Sequence, residues 1–118
     1  DRISILVFDE IDAGIGGKAA DTVGDKLKAL SKNHQVICIT HLPQIASYGD
    51  IHLKIEKTVK AGRTAVKVRS IAGDDRVMEL ARMLSGGDSE VSIEHAKEML
   101  KLKMQKSGSP QQAAGYPK

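Results

Sequence analysis

Aromatic residues, cysteine and long apolar runs are scarce in this sequence. The 118 residues include no tryptophan, one phenylalanine and two tyrosines, so a platform of aromatic side chains for stacking single-stranded bases is not expected. The one cysteine, Cys38, lies in the apolar run VICIT; it excludes a disulfide framework within the chain and is typical of a small core residue. No apolar run approaches the ~20 residues that a membrane-spanning helix needs, and no signal peptide opens the chain.

The overall composition is that of an ordinary globular protein. Hydrophobic residues make up 41% and charged residues 28%, and the net charge is only +3, which does not by itself indicate a nucleic-acid partner. The near-absence of cysteine suits a reducing cytoplasm. The chain opens on Asp1-Arg2, without methionine, and leads directly into a strand pattern, so we interpret it as part of a longer protein.

The first forty residues predict a strand, a helix and a second strand. Residues 3–8 (ISILVF) form an apolar run typical of a strand covered on both faces. Apolar residues at helical spacing predict a helix over 18–31. Residues 35–40 (QVICIT) repeat the buried-strand pattern, and this succession fits a βαβ crossover between parallel strands.

The following stretch predicts an antiparallel hairpin and two helices. Over 51–70, IHLKIEKTV and TAVKVRSI alternate apolar with polar residues around a KAGR turn. Ile51, Leu53 and Ile55 are expected on one face, with Val66 and Val68 facing the same core. Helical patterns follow near 74–84 and 89–104, and residues 105–118 have the composition of a disordered tail. The predicted class is therefore α/β: a parallel βαβ core, then a hairpin and two C-terminal helices.

The two predicted parallel strands end in polar residues. Asp9 and Glu10 follow the first strand, and Thr40 and His41 close the second. Ligands of open parallel sheets gather outside the carboxyl ends of the strands. If the strands are neighbours, two acids, a hydroxyl and an imidazole therefore lie on one rim.

Such a rim suits transfer of a phosphoryl group to water. Asp9 could hold Mg²⁺ through its water shell, because this cation prefers oxygen ligands. Glu10 could orient and polarise the attacking water, and His41 could hydrogen-bond a terminal phosphate. Glycines 14, 16 and 17 would let the backbone approach a ligand or a second subunit closely.

Simpler interpretations of the same residues stay open. An acid at a strand end often caps the next helix, and Gly16-Gly17 is equally typical of a turn. A single histidine such as His41 is usually a surface or capping residue. The order and spacing of all these residues together favour a site.

Two longer phrases carry a family resemblance. LVFDEIDAGIGGKAADTVGDKL and QVICITHLPQIASYGD closely resemble the C-terminal part of the ATPase head in the RecN family of bacterial DNA repair proteins. That family is related to the structural-maintenance-of-chromosomes (SMC) proteins and, more distantly, to ABC ATPases. The resemblance covers residues 3–104 and implies that residues 1–104 are the C-terminal lobe of a P-loop NTPase head.

The resemblance also implies roles for individual residues. Asp9 resembles the Walker B aspartate, which binds Mg²⁺, and Glu10 the catalytic glutamate. Residues 12–17 look like the D-loop at the head–head interface, so nucleotide-proximal roles are implied for Asp12, Gly14, Gly16 and Gly17. His41 looks like the switch histidine. Gly16 stands where cohesin-like relatives carry an aspartate, which leaves the contacts of this loop open.

Two further motifs limit what the resemblance implies. The phosphate-binding pattern G-x-x-x-x-G-K-[ST] does not occur in these 118 residues, so this segment alone is expected to be inactive. The phrase LSGGD at 84–88 looks like the ABC signature, which in that superfamily precedes the Walker B strand. Here it follows His41, and we interpret it as a coincidence of a short motif.

The function implied is ATP hydrolysis in recombinational repair of DNA double-strand breaks. The resemblance implies ATP and Mg²⁺ as cofactors, and as partners DNA bound independently of sequence, the N-terminal half of the head, and a second head joined on ATP binding. A bacterial cytoplasmic, nucleoid-associated location follows from the same resemblance. If part of the sheet is supplied by other residues, an apolar flank should be exposed.

A non-catalytic binding module is the alternative hypothesis. The predicted hairpin carries six basic residues and one acid, Glu56: Lys54, Lys57, Lys60, Arg63, Lys67 and Arg69. Such a surface could contact DNA phosphates in a salt-sensitive manner. Because the local charge is modest, the pattern favours the simpler interpretation as the solvated face of a hairpin, where lysines discourage edge pairing.

Overall fold

The computed structural model describes residues 4–9, 16–85 and 89–106. The order of elements is β1 (Ser4–Asp9), α1 (Gly17–Leu30), β2 (His34–Ile39), α2 (Pro43–Ala46), β3 (His52–Lys60), β4 (Arg63–Ile71), α3 (Gly73–Ser85) and α4 (Glu90–Lys106). The α/β prediction is confirmed at this level. Helix α4 extends beyond the predicted end at 104, and the rest of the predicted tail lies outside the described residues.

Strands β1 and β2 pair in parallel, as the sequence predicts. Their register sets Ser4 opposite His34 and Asp9 opposite Ile39, so both carboxyl ends lie at one edge of the pair. Helix α1 covers one face, where a core forms from Ala20, Leu27, Val36, Cys38 and Ile45, with Phe8 packed against it. Cys38 is buried, which confirms its expected place in the core.

The opposite face of β1 is open in the described part of the chain. Ile5 and Val7 are 62% and 61% exposed, so the prediction that this strand is covered on both faces is wrong for the structure. The physical reason is that, among the described residues, the sheet has two strands, and α1 and Ile45 of α2 both pack on its other face. The expected exposed apolar flank is present at these two residues.

Strands β3 and β4 form a separate antiparallel hairpin. Its register sets Ile55 opposite Val68, so these side chains share a face. Val66 and Val68 are nevertheless 60% and 56% exposed, and the prediction that they face a core is wrong. Burial is confined to the base of the hairpin, at His52 and Ile71, because its far half extends away from the helices.

The second core lies between α3 and α4. It contains Ala46, Leu80, Ala81 and Ala96, with partly buried leucine, isoleucine, valine and methionine side chains around it. Adjacent residues of the single-turn helix α2 therefore serve different cores: Ile45 enters the first and Ala46 the second. Helix α2, which the sequence analysis did not predict, is thus the physical junction of the two.

A buried tyrosine links α1, the end of α2 and α4. The Tyr48 hydroxyl donates a hydrogen bond to Asp21, and Lys103 Nζ lies 4.6 Å from the centre of the Tyr48 ring and 2.7 Å from Asp21 Oδ1. Burial, followed by the Asp21 carboxylate, raises the pKa of the Tyr48 hydroxyl. Gly24 lies against the ring, leaving no room for a side chain there.

The base of the hairpin buries a histidine. His52 is 2% exposed, and neither ring nitrogen has a hydrogen-bond partner within the described part of the chain. Burial is the main cause that lowers the pKa of His52 from 6.5 to about 4. The positive charges of Arg76 and Lys54 act in the same direction, and Glu79 opposes them.

Candidate functional site

The paired strand ends place predicted site residues at one edge. Asp9 is the last residue of β1 and lies opposite Ile39, the last residue of β2. His41 comes two residues after Ile39. Asp9 and His41 are both exposed. The parallel register therefore brings the carboxyl ends of both strands to the same solvent-exposed edge.

The backbone at His41 is held by its neighbours. The buried Thr40 hydroxyl accepts a hydrogen bond from the Leu42 N–H at 3.0 Å. Pro43 then opens α2, where its fixed φ and missing N–H suit the first helical turn. His41 thus occupies a turn that is fixed on one side by β2 and on the other by α2.

The structure describes some residues of the predicted loop after β1 and not others. Glu10, Asp12 and Gly14 lie outside the described residues. Gly16 and Gly17 are described: Gly16 caps α1 with an extended backbone, and Gly17 has a φ of +56°. This positive φ favours glycine at position 17. No described atom lies within 4 Å of where a Cβ would stand at either residue.

The sequence analysis missed the residue that holds the end of α2. Arg76, on α3, donates hydrogen bonds through Nη2 to the carbonyls of Ala46 and Gly49 at 3.1 and 2.6 Å, and lies 3.5 Å from that of Ser47. Lys28 on α1 forms an ion pair with Asp50, the residue that follows Gly49. The available signal was an arginine four residues before Leu80, a fully buried position of the α3 stripe.

The structure describes the first two residues of the LSGGD motif, Leu84 and Ser85, which end α3. The Ser85 hydroxyl lies 3.4 Å from the Ala81 carbonyl and 2.6 Å from the Ser92 hydroxyl. The Ser89 hydroxyl accepts from the Ser92 N–H and so caps α4. These contacts favour the interpretation of the serine as structural; residues 86–88 lie outside the described residues.

The basic hairpin divides into a paired base and an unpaired tip. Lys54 contacts Glu56 and Glu79, and Arg69 contacts Glu56 and Asp75. Burial raises the pKa of Glu79, but the hydrogen bonds and charge of Arg82, aided by Lys54, outweigh it and leave that pKa below its usual value. Within the described part of the chain, the remaining basic side chains are exposed and form no ion pair: Lys57, Lys60, Arg63 and Lys67.

The described residues offer no protein cage for a metal ion. No group of three or more His, Cys, Asp or Glu side chains in the ranges that the structure describes could hold one. No helix among the described residues has the length and apolar character of a membrane span.

The fold and this edge define an α/β segment whose two parallel strands end together at a polar, exposed margin. No protein-family model matches the chain. Its curated relatives include bacterial DNA repair proteins named RecN: it is 53% identical over 95 residues to that of Deinococcus radiodurans, 52% over 96 residues to that of Mycobacterium tuberculosis and 53% over 96 residues to that of Rickettsia prowazekii.

These matches cover most of the chain but little of the relatives. In all three, the aligned region is 80% of this chain and 16–17% of the RecN protein. The chain is thus homologous to one segment of RecN, which is consistent with a fragment of such a DNA repair protein. The family resemblance expected from DEIDAGIGG and THLPQIA is confirmed.

Proposed function

We propose that this chain is the hydrolytic segment of an ATP-hydrolysing head in a RecN-like protein of bacterial recombinational DNA repair. The observation that carries the proposal is the parallel register of β1 and β2, which brings Asp9 and the His41 turn to one edge. Homology to proteins named for DNA repair supports the biological setting. A P-loop NTPase fold completed by the N-terminal half of the head is part of the proposal.

In this proposal each residue at the edge has a separate role. Bound Mg²⁺ supplies charge neutralisation for the phosphates of ATP. Asp9 holds the water shell of that ion, Glu10 orients the attacking water and accepts its proton, and His41 donates a hydrogen bond to the terminal phosphate. Residues 12–17, with Asp12, Gly14, Gly16 and Gly17, would have the nucleotide-proximal role at the interface with a second head that the resemblance to the D-loop implies.

The setting follows from the same proposal. Heads join when ATP binds and separate after hydrolysis, and the protein works on chromosomal DNA in the cytoplasm, in association with the nucleoid. The 118 residues alone bind the triphosphate too weakly to turn it over, because they contain no phosphate-binding loop.

Steady-state ATP hydrolysis by the full-length protein tests the assignment. Glu10→Gln should lower kcat by about 100-fold or more, since positioned proton transfer contributes at least that much, while fluorescent-ATP binding is retained. His41→Ala should also lower kcat. Glu98→Gln and His95→Ala make the same chemical changes at exposed positions of α4 and should leave the rate unchanged. Wild-type turnover by the Glu10→Gln protein would refute the proposal.

A second candidate function, DNA binding by the hairpin tip, is favoured by the exposed basic residues there. Lys60, Arg63 and Lys67 belong to one face of the hairpin, because directly opposite residues share a face and alternate residues repeat it. Contacts to phosphates would be independent of sequence and sensitive to salt.

Fluorescence anisotropy of a labelled duplex tests the hairpin. Changing Lys60, Arg63 and Lys67 together to glutamine should weaken binding by the full-length protein and flatten its dependence on salt. Lys97→Gln with Lys101→Gln on α4 is the matched control, since both lysines are exposed. Equal affinity and salt slope in the hairpin variant and wild type would exclude the tip as a DNA contact.

A further inference from the structure

The turn at His41 depends on a helix that cannot hold its shape alone. Helix α2 is only four residues long, Pro43–Ala46, and isolated helices much shorter than about 12 residues do not persist in water. After α2 the chain continues as single hydrogen-bonded turns, from the Tyr48 N–H to the Ile45 carbonyl and from the Gly49 N–H to the Ala46 carbonyl, rather than as a longer helix. A further donor to the carbonyls of this segment therefore helps to set the position of α2 and of the residues immediately before it.

A single guanidinium supplies that support from outside. Arg76 Nη2 donates to the Ala46 and Gly49 carbonyls and lies within 3.5 Å of the Ser47 carbonyl. Arg76 comes thirty residues after Ala46, on α3, so the contact crosses the hairpin that separates the two elements. Burial lowers the pKa of the Arg76 guanidinium, and the nearby Asp50 carboxylate acts in the opposite direction.

The elements around Arg76 form one continuous path. Asp50, next to the bound carbonyls, is tied to Lys28 of α1. His52, two residues after Asp50, begins β3 and is buried close to Arg76. Its partner in the hairpin is Ile71, the last residue of β4, and α3 begins two residues after Ile71. The base of the hairpin, the end of α2 and α3 therefore meet at this guanidinium.

We propose that Arg76 is a positioning residue for His41. By fixing the end of α2, it sets the angle at which the turn after β2 presents the imidazole to the polar edge. This inference rests on the proposed ATPase function. It implies that a structural change at the base of the hairpin can alter the position of His41.

The kinetic test combines two substitutions in the full-length protein. Arg76→Lys keeps the charge, but the lysine ammonium ends one bond nearer the main chain than Nη2, the atom that contacts the carbonyls. It should lower kcat about tenfold through misplacement of His41, with KM for ATP changed by less than about twofold. In a His41→Ala background the same substitution should have almost no further effect, because both changes remove one contribution. Arg82→Lys, on the same helix but bonded to Glu79, is the matched control.

A structural readout keeps the test independent of activity. The amides of Ile45, Ala46 and Ser47 donate to carbonyls within the α2 turn, and their hydrogen exchange in the 118-residue chain should quicken at least about tenfold in Arg76→Lys but not in Arg82→Lys. Unchanged exchange overturns the inference.

The outcomes separate the two proposals. A His41→Ala protein with wild-type turnover overturns the proposed role of His41 and this inference with it. If His41→Ala is slow but Arg76→Lys lowers kcat by the same factor in both backgrounds, only the positioning role is overturned. A slow Arg76→Lys protein with no further loss in the His41→Ala background supports it.

Discussion

Gly24 offers a sharp test of the packing that joins α1 to the segment after His41. A Cβ at this buried helical position would stand 2.3 Å from Tyr48 Cδ2 and 2.6 Å from Cε2, whereas carbon atoms pack at about 3.5–4.0 Å. In Gly24→Ala the ring must therefore move by about 1 Å or more. The ring is held by the hydrogen bond from its hydroxyl to Asp21 and by Lys103 above its face.

The magnitude follows from three opposing contributions. Forcing extra volume into a packed site costs about 1–3 kcal/mol, and weakening the hydroxyl hydrogen bond costs about 1 kcal/mol. Alanine favours the helix over glycine by about 1 kcal/mol. The expected net loss is about 2 kcal/mol in the free energy of unfolding, or a fall of about 1 M in the urea midpoint.

Urea unfolding of the 118-residue chain, followed by circular dichroism, measures this loss. Tyr48→Ala provides the control background: without the ring, Gly24→Ala should stabilise the chain by up to about 1 kcal/mol through helix propensity alone. A Gly24→Ala chain that is more stable than wild type, or an equal effect in both backgrounds, would refute the proposed steric conflict.

Two further predictions concern charge. His52 takes up a proton near pH 6.5 when unfolded but only near pH 4 when folded, so stability should fall as the pH drops from 6.5 to 4, by about 3 kcal/mol in total. Unfolding at pH 7 and 4.5 should show this slope in wild type and His95→Gln but not in His52→Gln; parallel profiles for all three would contradict it. Lys103→Met removes the ion pair with the partly exposed Asp21 and should cost about 1 kcal/mol in urea unfolding. Lys97→Met, at a 57% exposed lysine 3.7 Å from Glu94, should change stability by less than about 0.5 kcal/mol; equal losses in both would argue against the Asp21 contact.

The strands and helices that show a clear local sequence pattern were predictable. Continuous apolar runs and helical spacing predicted the parallel pair and the crossover helix, and the strand boundaries differ from the structure by one residue. The polar residues after each run then indicated which edge to examine. Pairing of β1 with β2 required one further rule, that short crossovers join neighbouring parallel strands.

The parts that depend on distant partners were not predictable. Arg76 binds main-chain carbonyls, which every residue has, so no side-chain pattern marks its target. Helix α2 is too short to show a period. Val66 and Val68 alternate as a half-buried strand should, yet nothing in the alternation says whether an element covers that face.

The junction at α2 has a consequence for cooperativity. Ile45 and Ala46 are consecutive, yet each belongs to a different core, so one peptide bond connects the two cores directly, in addition to the Lys103–Asp21 ion pair between α4 and α1. Loosening this turn should divide a single unfolding transition into two, with the crossover unit and the helical pair melting separately. The turn next to the polar edge at the ends of β1 and β2 is then also the segment through which unfolding of one core lowers the stability of the other.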